Sequence, residues 1–274
     1  MNLKTGWLGS CRIYNPLKIA TDNGDIEMCN NDIFGFIHST REVLQVGTIM
    51  EGSQIPPPEL YGLLSINNPK KLNIPENPLK KLLGLSESPL KHWTKQLDIL
   101  VIEVSSLRLV QYKKWQLQIH KFSGMLAKYP ETSPIQKHLF KDQPSWKDDL
   151  ELTAEMPQLY HQILPELLCE ELSEQEIILD LKEICKRFDT RILFVNQLTT
   201  NFEGKQIRQR QTIMEALSKA VEDCPNAWFF DPSPWIVQHG AKLAMPHDLG
   251  HYSPEFETKL SKLLVDHIKS ICKT

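Results

Sequence analysis

Two short stretches at opposite ends of this sequence carry the residue types of acyl chemistry. Gly9-Ser10-Cys11-Arg12 stands near the start and Asp248-Leu249-Gly250-His251-Tyr252-Ser253 near the end. A carboxylate three residues ahead of a histidine can occupy one imidazole nitrogen, fixing the tautomer and stabilising the imidazolium. The other nitrogen is then free to take a serine proton and later return it. A serine between a strand and a helix suits the nucleophile, because helix N-terminal NH groups and the macrodipole favour developing negative charge. Taken alone, a Gly-Ser turn more often merely caps a helix; the Asp-x-x-His element is what turns the reading towards catalysis. Ser10, His251 and Asp248 thus read as nucleophile, general base and orienting carboxylate. Two other readings stay open. Cys11 at the same helix start could be the nucleophile, and His247, Asp248 and His251 offer metal-binding side chains, though no fourth ligand of suitable spacing accompanies them.

Such distant residues meet only if the fold delivers them. Five apolar runs alternate with helical segments: one ending at Trp7-Leu8-Gly9, then Ile33 to Ile37, Ile99 to Val104, Arg191 to Val195 and Ala227 to Phe230. That alternation predicts a three-layer α/β/α fold around a central, mainly parallel five-stranded sheet. Ser39-Thr40-Arg41-Glu42 and Ser173-Glu174-Gln175-Glu176 each match the capping box, in which serine and glutamate satisfy orphan NH groups reciprocally. Ser253-Pro254 opens a last amphipathic helix. In a sheet of this kind ligands bind beyond the carboxyl ends of the strands, so the residues after each strand are the candidates for the site.

Residues 1–274 read as one domain with insertions at about 52–96 and 108–150. The first is rich in proline and reads as a long, partly helical loop. The second holds Trp115 to His120, whose strict alternation predicts an extra strand or hairpin. Long insertions are commonly lids or binding loops, so substrate selection is expected there. The proline-rich stretch alternatively reads as a partner-binding scaffold.

A net charge of -3 removes the bulk attraction that nucleic acid or anionic lipid would need, so neither is expected as a partner. No apolar run approaches the ~18 residues of a membrane helix. The N-terminus enters an apparent strand within a few residues and lacks a secretory h-region, so a cytoplasmic location is expected. The six cysteines show no CxxC spacing and read as reduced thiols.

The blocks Leu8-Gly9-Ser10-Cys11-Arg12, His38-Ser39-Thr40 with Glu42 and Gln45, Ile102-Glu103-Val104-Ser105-Ser106, Asp231-Pro232-Ser233 and His251-Tyr252-Ser253 span nearly the whole chain. Together they resemble the SGNH/GDSL hydrolases. The resemblance implies a flavodoxin-like fold, a Ser-His-Asp triad of Ser10, His251 and Asp248, activity on carboxylic esters, and no metal or organic cofactor. Two positions depart from that family. His38-Ser39 stands where a glycine follows the second strand, and Ser105-Ser106-Leu107-Arg108 where a Gly-x-Asn-Asp turn follows the third. The oxyanion hole would then be rebuilt from the Ser10 NH, NH groups near Ser39 and a hydroxyl of Ser105 or Ser106. Losing one such donor typically costs ~10²–10³ in rate.

His38 reads either as a pocket donor or as a helix-start residue, and Arg12 joins the substrate-binding candidates. Glu103, inside an apolar strand, reads as an ion pair with Arg12 or Arg108 beneath the site ahead of a direct catalytic part. Arg208 and Arg210 read as a solvated helix face, or as holders of an anionic substrate group. The function expected is a serine esterase or deacylase acting on a small-molecule or carbohydrate ester, including a carrier-bound acyl group. Transfer to a carbohydrate or natural-product hydroxyl by the same triad is the alternative. A non-catalytic binding protein with a decayed oxyanion hole is the rival from another class.

Overall fold

The computed structural model describes residues 2–29, 33–68, 70, 88–129, 132, 135–137, 152 and 154–273. Its main sheet contains β1 (Leu3–Leu8), β2 (Ile26–Met28), β3 (Ile99–Glu103), β7 (Ile192–Val195) and β8 (Ala227–Phe230). They run in the order β2-β1-β3-β7-β8, every pairing parallel. Parallel strands buried on both faces need apolar side chains at every position, and Ile99 to Glu103 are all buried. Alternation then divides the core. Leu100, Ile102, Ile192 and Phe194 face helices α2 (Thr40–Glu51), Glu174–Arg187 and Arg208–Glu222, whereas Ile99, Val101, Leu193 and Val195 face α1 (Cys11–Asp22) and Pro254–Lys273. Fully burying one such side chain contributes roughly 1.5–3 kcal/mol.

The sheet turns back on itself between β1 and β3. Chain direction across the sheet reverses there, and the crevice beyond their carboxyl ends is the place where open α/β sheets bind ligands. Ser10 follows β1 after Gly9, and Glu103 ends β3.

Both capping boxes form: the hydroxyls of Ser39 and Ser173 accept from the NH groups of Glu42 and Glu176, whose carboxylates accept from the serine NH groups in return. The Ser253 hydroxyl accepts from the Phe256 NH at 3.2 Å at the start of the last helix.

The second strand corrects the sequence reading. Ile33 to Ile37 is not a strand; the edge is the three-residue Ile26–Met28, too short and too polar to register as an apolar run. The stretch is apolar because Ile33, Phe34 and Ile37 are buried, while its backbone bonds to neighbouring loops, Gly35 NH to Ser65 O at 2.7 Å and Ile37 NH to Gly9 O at 3.0 Å.

The alternation from Trp115 does form a hairpin, β4 (Arg108–Tyr112) with β5 (Trp115–Leu117), and it gains a third antiparallel partner in β6 (Leu167–Glu171). Leu167-Leu168-Cys169-Glu170-Glu171 does not alternate, and so gave no strand signal. A reciprocal amide pair, Gln45 Nε2 to Gln116 O at 2.9 Å and Gln116 NH to Gln45 Oε1 at 2.8 Å, docks this sheet on α2. Much of the two insertions, including Pro69, Pro75, Pro78, Lys80 and Lys81, lies outside the described residues. The described part of the first holds a 3₁₀ turn at Pro58–Leu60 and a helix at Pro89–Thr94.

Among the described residues no helix is long and apolar enough to cross a membrane.

Candidate active site

Ser10, two residues past β1, holds an extended conformation and caps α1, its Oγ accepting from the Arg12 NH at 3.2 Å. Its own hydrogens go to Glu103. Oγ donates to Glu103 Oε2 at 2.5 Å, and the Ser10 NH donates to the same oxygen at 2.9 Å. Arg12 Nε donates to Glu103 Oε1 at 2.8 Å and lies 3.2 Å from Ser10 Oγ. Gln197 Nε2 adds a bond to Glu103 Oε1 at 3.3 Å.

Glu103 is 2 % exposed. Burial works to raise its carboxyl, but the Arg12 guanidinium and the hydroxyl and NH of Ser10 outweigh burial and hold it below the usual carboxylate range. It is therefore an anion that touches the candidate nucleophile. Of the two arginines expected as partners, Arg12 supplies the pair, while Arg108 bonds Glu171 at 3.1 Å.

The Asp-x-x-His element forms a dyad. His251 Nδ1 lies 2.9 Å from Asp248 Oδ2 and 3.1 Å from Oδ1, and the Gly250 NH caps Oδ1 at 2.5 Å. The hydrogen bond from the imidazole is the main reason that Asp248 titrates below its ordinary value. The His251 side chain is 66 % exposed, at the rim rather than the floor of the site.

Arg210 corrects the solvated-face reading. It is largely buried, donating to Leu198 O at 3.1 Å and to Leu249 O at 2.9 Å, so it pins the loop between Asp248 and His251. Desolvation lowers it to about 10, still fully charged at neutral pH.

His38, Ser105 and His120 form a third cluster. His38 Nδ1 lies 2.8 Å from Ser105 Oγ, and its ring meets His120 edge to face with centroids 4.6 Å apart. Burial, then the neighbouring His120, drive His38 down to about 3, which keeps it neutral. The hairpin positions His120. After β5 the Gln118 side chain caps the helix Ile119–Leu126, and the Gln118 NH is anchored to Leu63 O at 2.7 Å.

The backbone donors expected for an oxyanion are already engaged. The NH groups of His38 and Ser39 donate to Glu42 Oε2, both at 2.8 Å, and those of Ser105 and Ser106 to His38 O at 2.8 and 3.0 Å. Ser39 Oγ belongs to the α2 cap, and Ser106 Oγ accepts from the Arg108 NH at 3.0 Å.

Ser10, Arg12, His38, Ser105, Ser106 and His251 line one cavity of about 1090 Å³. Ser39, which is buried, and Asp248, which is exposed, are not among its lining residues, and no hydrogen bond joins Ser10 to His251. Arg108, Lys121 and Arg210 also line the cavity, and none of its described lining residues is a carboxylate. Sequence reasoning missed His120 and Gln197. His120 ends the alternating run that announced the hairpin; Gln197, two residues past β7, is found by inspecting strand ends as Ser10 was.

A family model described as the TviD N-terminal domain matches residues 3–267. No curated protein matches the chain.

Proposed function

The chain belongs to the TviD N-terminal domain family, and from that premise we propose that it is an acyl-transferring enzyme working through an acyl-serine at Ser10. The observation that carries this reading is that Ser10 and His251, the latter held by Asp248, line one cavity at the point where the strand order reverses. The family's relation to acyltransferases favours a hydroxyl acceptor over water. At about 1090 Å³ the cavity lies just above the ordinary range for ligand pockets, roughly 300–1,000 Å³, which suits a donor and an acceptor bound together.

In this reading Ser10 attacks the acyl donor and carries the acyl group. His251, oriented by Asp248, exchanges protons with the leaving group and the incoming hydroxyl at the rim. Arg12, Arg108, Lys121 and Arg210 give the lining a positive character, with Arg12 paired to Glu103 and Arg108 to Glu171 behind it, and suit a substrate with an anionic group, a carbohydrate ester or a carrier-bound acyl group among them. With backbone NH groups engaged elsewhere, the charge on the acyl oxygen would fall to side-chain donors, the terminal guanidinium NH groups of Arg12 and the second amide hydrogen of Gln197 among them.

A second reading, ester hydrolysis, is favoured by the exposure of His251, which lets water compete for the acyl group.

The test is labelling by a serine-directed fluorophosphonate and turnover of p-nitrophenyl acetate, for wild type, Ser10→Ala and His251→Ala, with and without an added sugar alcohol. Labelling that needs Ser10, with acetate passed to the sugar, supports transfer; acetate released to water whatever is added supports hydrolysis. Wild type that neither labels nor turns over sinks both, and leaves a binding protein.

A further inference from the structure

We propose that Glu103 is a catalytic residue, one that positions the Ser10 hydroxyl and takes its proton as the acyl-serine forms. The proposal rests on Ser10 as nucleophile, as argued above. The hydrogen on Ser10 Oγ is already given to Glu103 Oε2 at 2.5 Å, and no hydrogen bond links Ser10 to His251. Proton transfer to Glu103 therefore requires no rotation of the serine; transfer to His251 requires this bond to break first.

The carboxylate is held for the task. The Ser10 NH, Arg12 Nε and Gln197 Nε2 all donate to it. Gly9 lets β1 come close enough, because an added Cβ there would lie 2.8 Å from Glu103 Cβ. An ion pair that served stability alone would need no contact with a reactive hydroxyl, and buried pairs are weak evidence of stabilisation in any case. Arg12 Nε lies 3.2 Å from Ser10 Oγ and 2.8 Å from Glu103 Oε1, so the guanidinium stays against the oxygen that gains charge while Glu103 loses its own.

The step balances as follows. Ser10 Oγ bonds to the acyl carbon, the carbonyl π pair moves onto oxygen, and the Oγ–H bond breaks with its proton passing to Glu103 Oε2. When the carbonyl re-forms, the leaving group departs with its electron pair. The acceptor hydroxyl then attacks the acyl carbon and gives its proton to His251. Ser10 departs and regains its proton from Glu103, and the leaving group ends with the proton held by His251.

The charged and titratable groups around Glu103 are Arg12 and Cys11 of α1, His38 ahead of α2, Arg210, and Tyr252 ahead of the last helix. Arg12 dominates them as the counter-charge and keeps the carboxylate ionised.

The experiment is the pre-steady-state burst of p-nitrophenolate from p-nitrophenyl acetate, recorded against pH with the full chain. Because p-nitrophenolate leaves without needing a proton, this burst isolates the Ser10 step. The wild-type burst rate is expected to hold on the acid side well below the ordinary histidine value of about 6.5. Glu103→Gln should slow the burst by about 10²–10⁴-fold, the usual share of general acid–base catalysis. Glu103→Asp, which keeps the charge but draws it back, should restore part of the rate. His251→Ala should lose turnover after the burst.

An acid limb that disappears in His251→Ala, or a Glu103→Gln burst at the wild-type rate, overturns the proposal. Should Glu103→Gln not fold, the wild-type pH profile decides alone. A burst that survives Ser10→Ala overturns the acyl-serine reading itself; a burst that needs Ser10 but not Glu103 overturns only this inference.

Discussion

Gly9 and Glu103 touch: a Cβ on Gly9 would sit 2.8 Å from Glu103 Cβ, 3.2 Å from Ile13 Cγ2 and 3.3 Å from the Glu103 backbone nitrogen. None of these neighbours is the free end of a flexible side chain. Gly9→Ala must therefore push β1 away from β3 at the point where Ser10 meets its carboxylate. The expected cost is about 1–3 kcal/mol, the usual price of overpacking a filled interior, together with slower labelling of Ser10. Urea unfolding and fluorophosphonate labelling check both, and an alanine variant as stable and as reactive as wild type would show that the contact is slack.

His38 and Glu42 set a pH dependence with opposing signs. His38, kept neutral at about 3 by burial, takes up a proton near 6.5 once unfolded. Its contribution is complete above 6.5 and falls as pH drops towards 3. Burial raises Glu42 to about 7 against hydrogen bonds from the NH groups of His38 and Ser39 and the Ser39 hydroxyl. Its contribution is complete below its unfolded value of 4.5 and is lost as pH rises through 7. Between these unfolded values the two oppose each other and flatten the profile. Glu42→Gln still fits the capping box and should expose the histidine slope, up to about 1.4 kcal/mol per pH unit. Urea midpoints at neutral pH and at pH 5 test this; a variant profile parallel to wild type refutes the assignment.

Arg210 ties Leu198 O to Leu249 O, and so holds the loop that carries Asp248 and His251. A lysine cannot reproduce that two-pronged bridge. Arg210→Lys should lower p-nitrophenyl acetate turnover about 10-fold or more, since small misplacements of a catalytic group are costly. The melting temperature should change little. Turnover equal to wild type would mean that the loop holds its shape without the bridge.

The sheet was legible wherever a strand was buried on both faces. Ile99 to Glu103 and Ile192 to Val195 read directly as apolar runs, and the capping boxes at Ser39 and Ser173 marked helix starts to the residue. The edge strand Ile26–Met28 was hidden because an edge needs little apolar content, and Ile33 to Ile37 stood in for it because a buried irregular segment has the same composition as a strand. At the site, Ser10 and the Asp248–His251 pair stood out as candidates because local spacing marks them. The hold of Glu103 on Ser10 and the packing of His120 on His38 join residues far apart in the chain, and no local pattern records such contacts.

Ser10 also caps α1, so in the proposed mechanism its oxygen would serve the helix and the chemistry at once. Esterifying that oxygen would remove the hydrogen it gives to Glu103 and leave the Arg12 NH facing a poorer acceptor. The loaded protein would then be frayed at the start of its first helix, and release of the acyl group would mend it. Folding energy would in this way lean against a long-lived intermediate and towards handing the acyl group on.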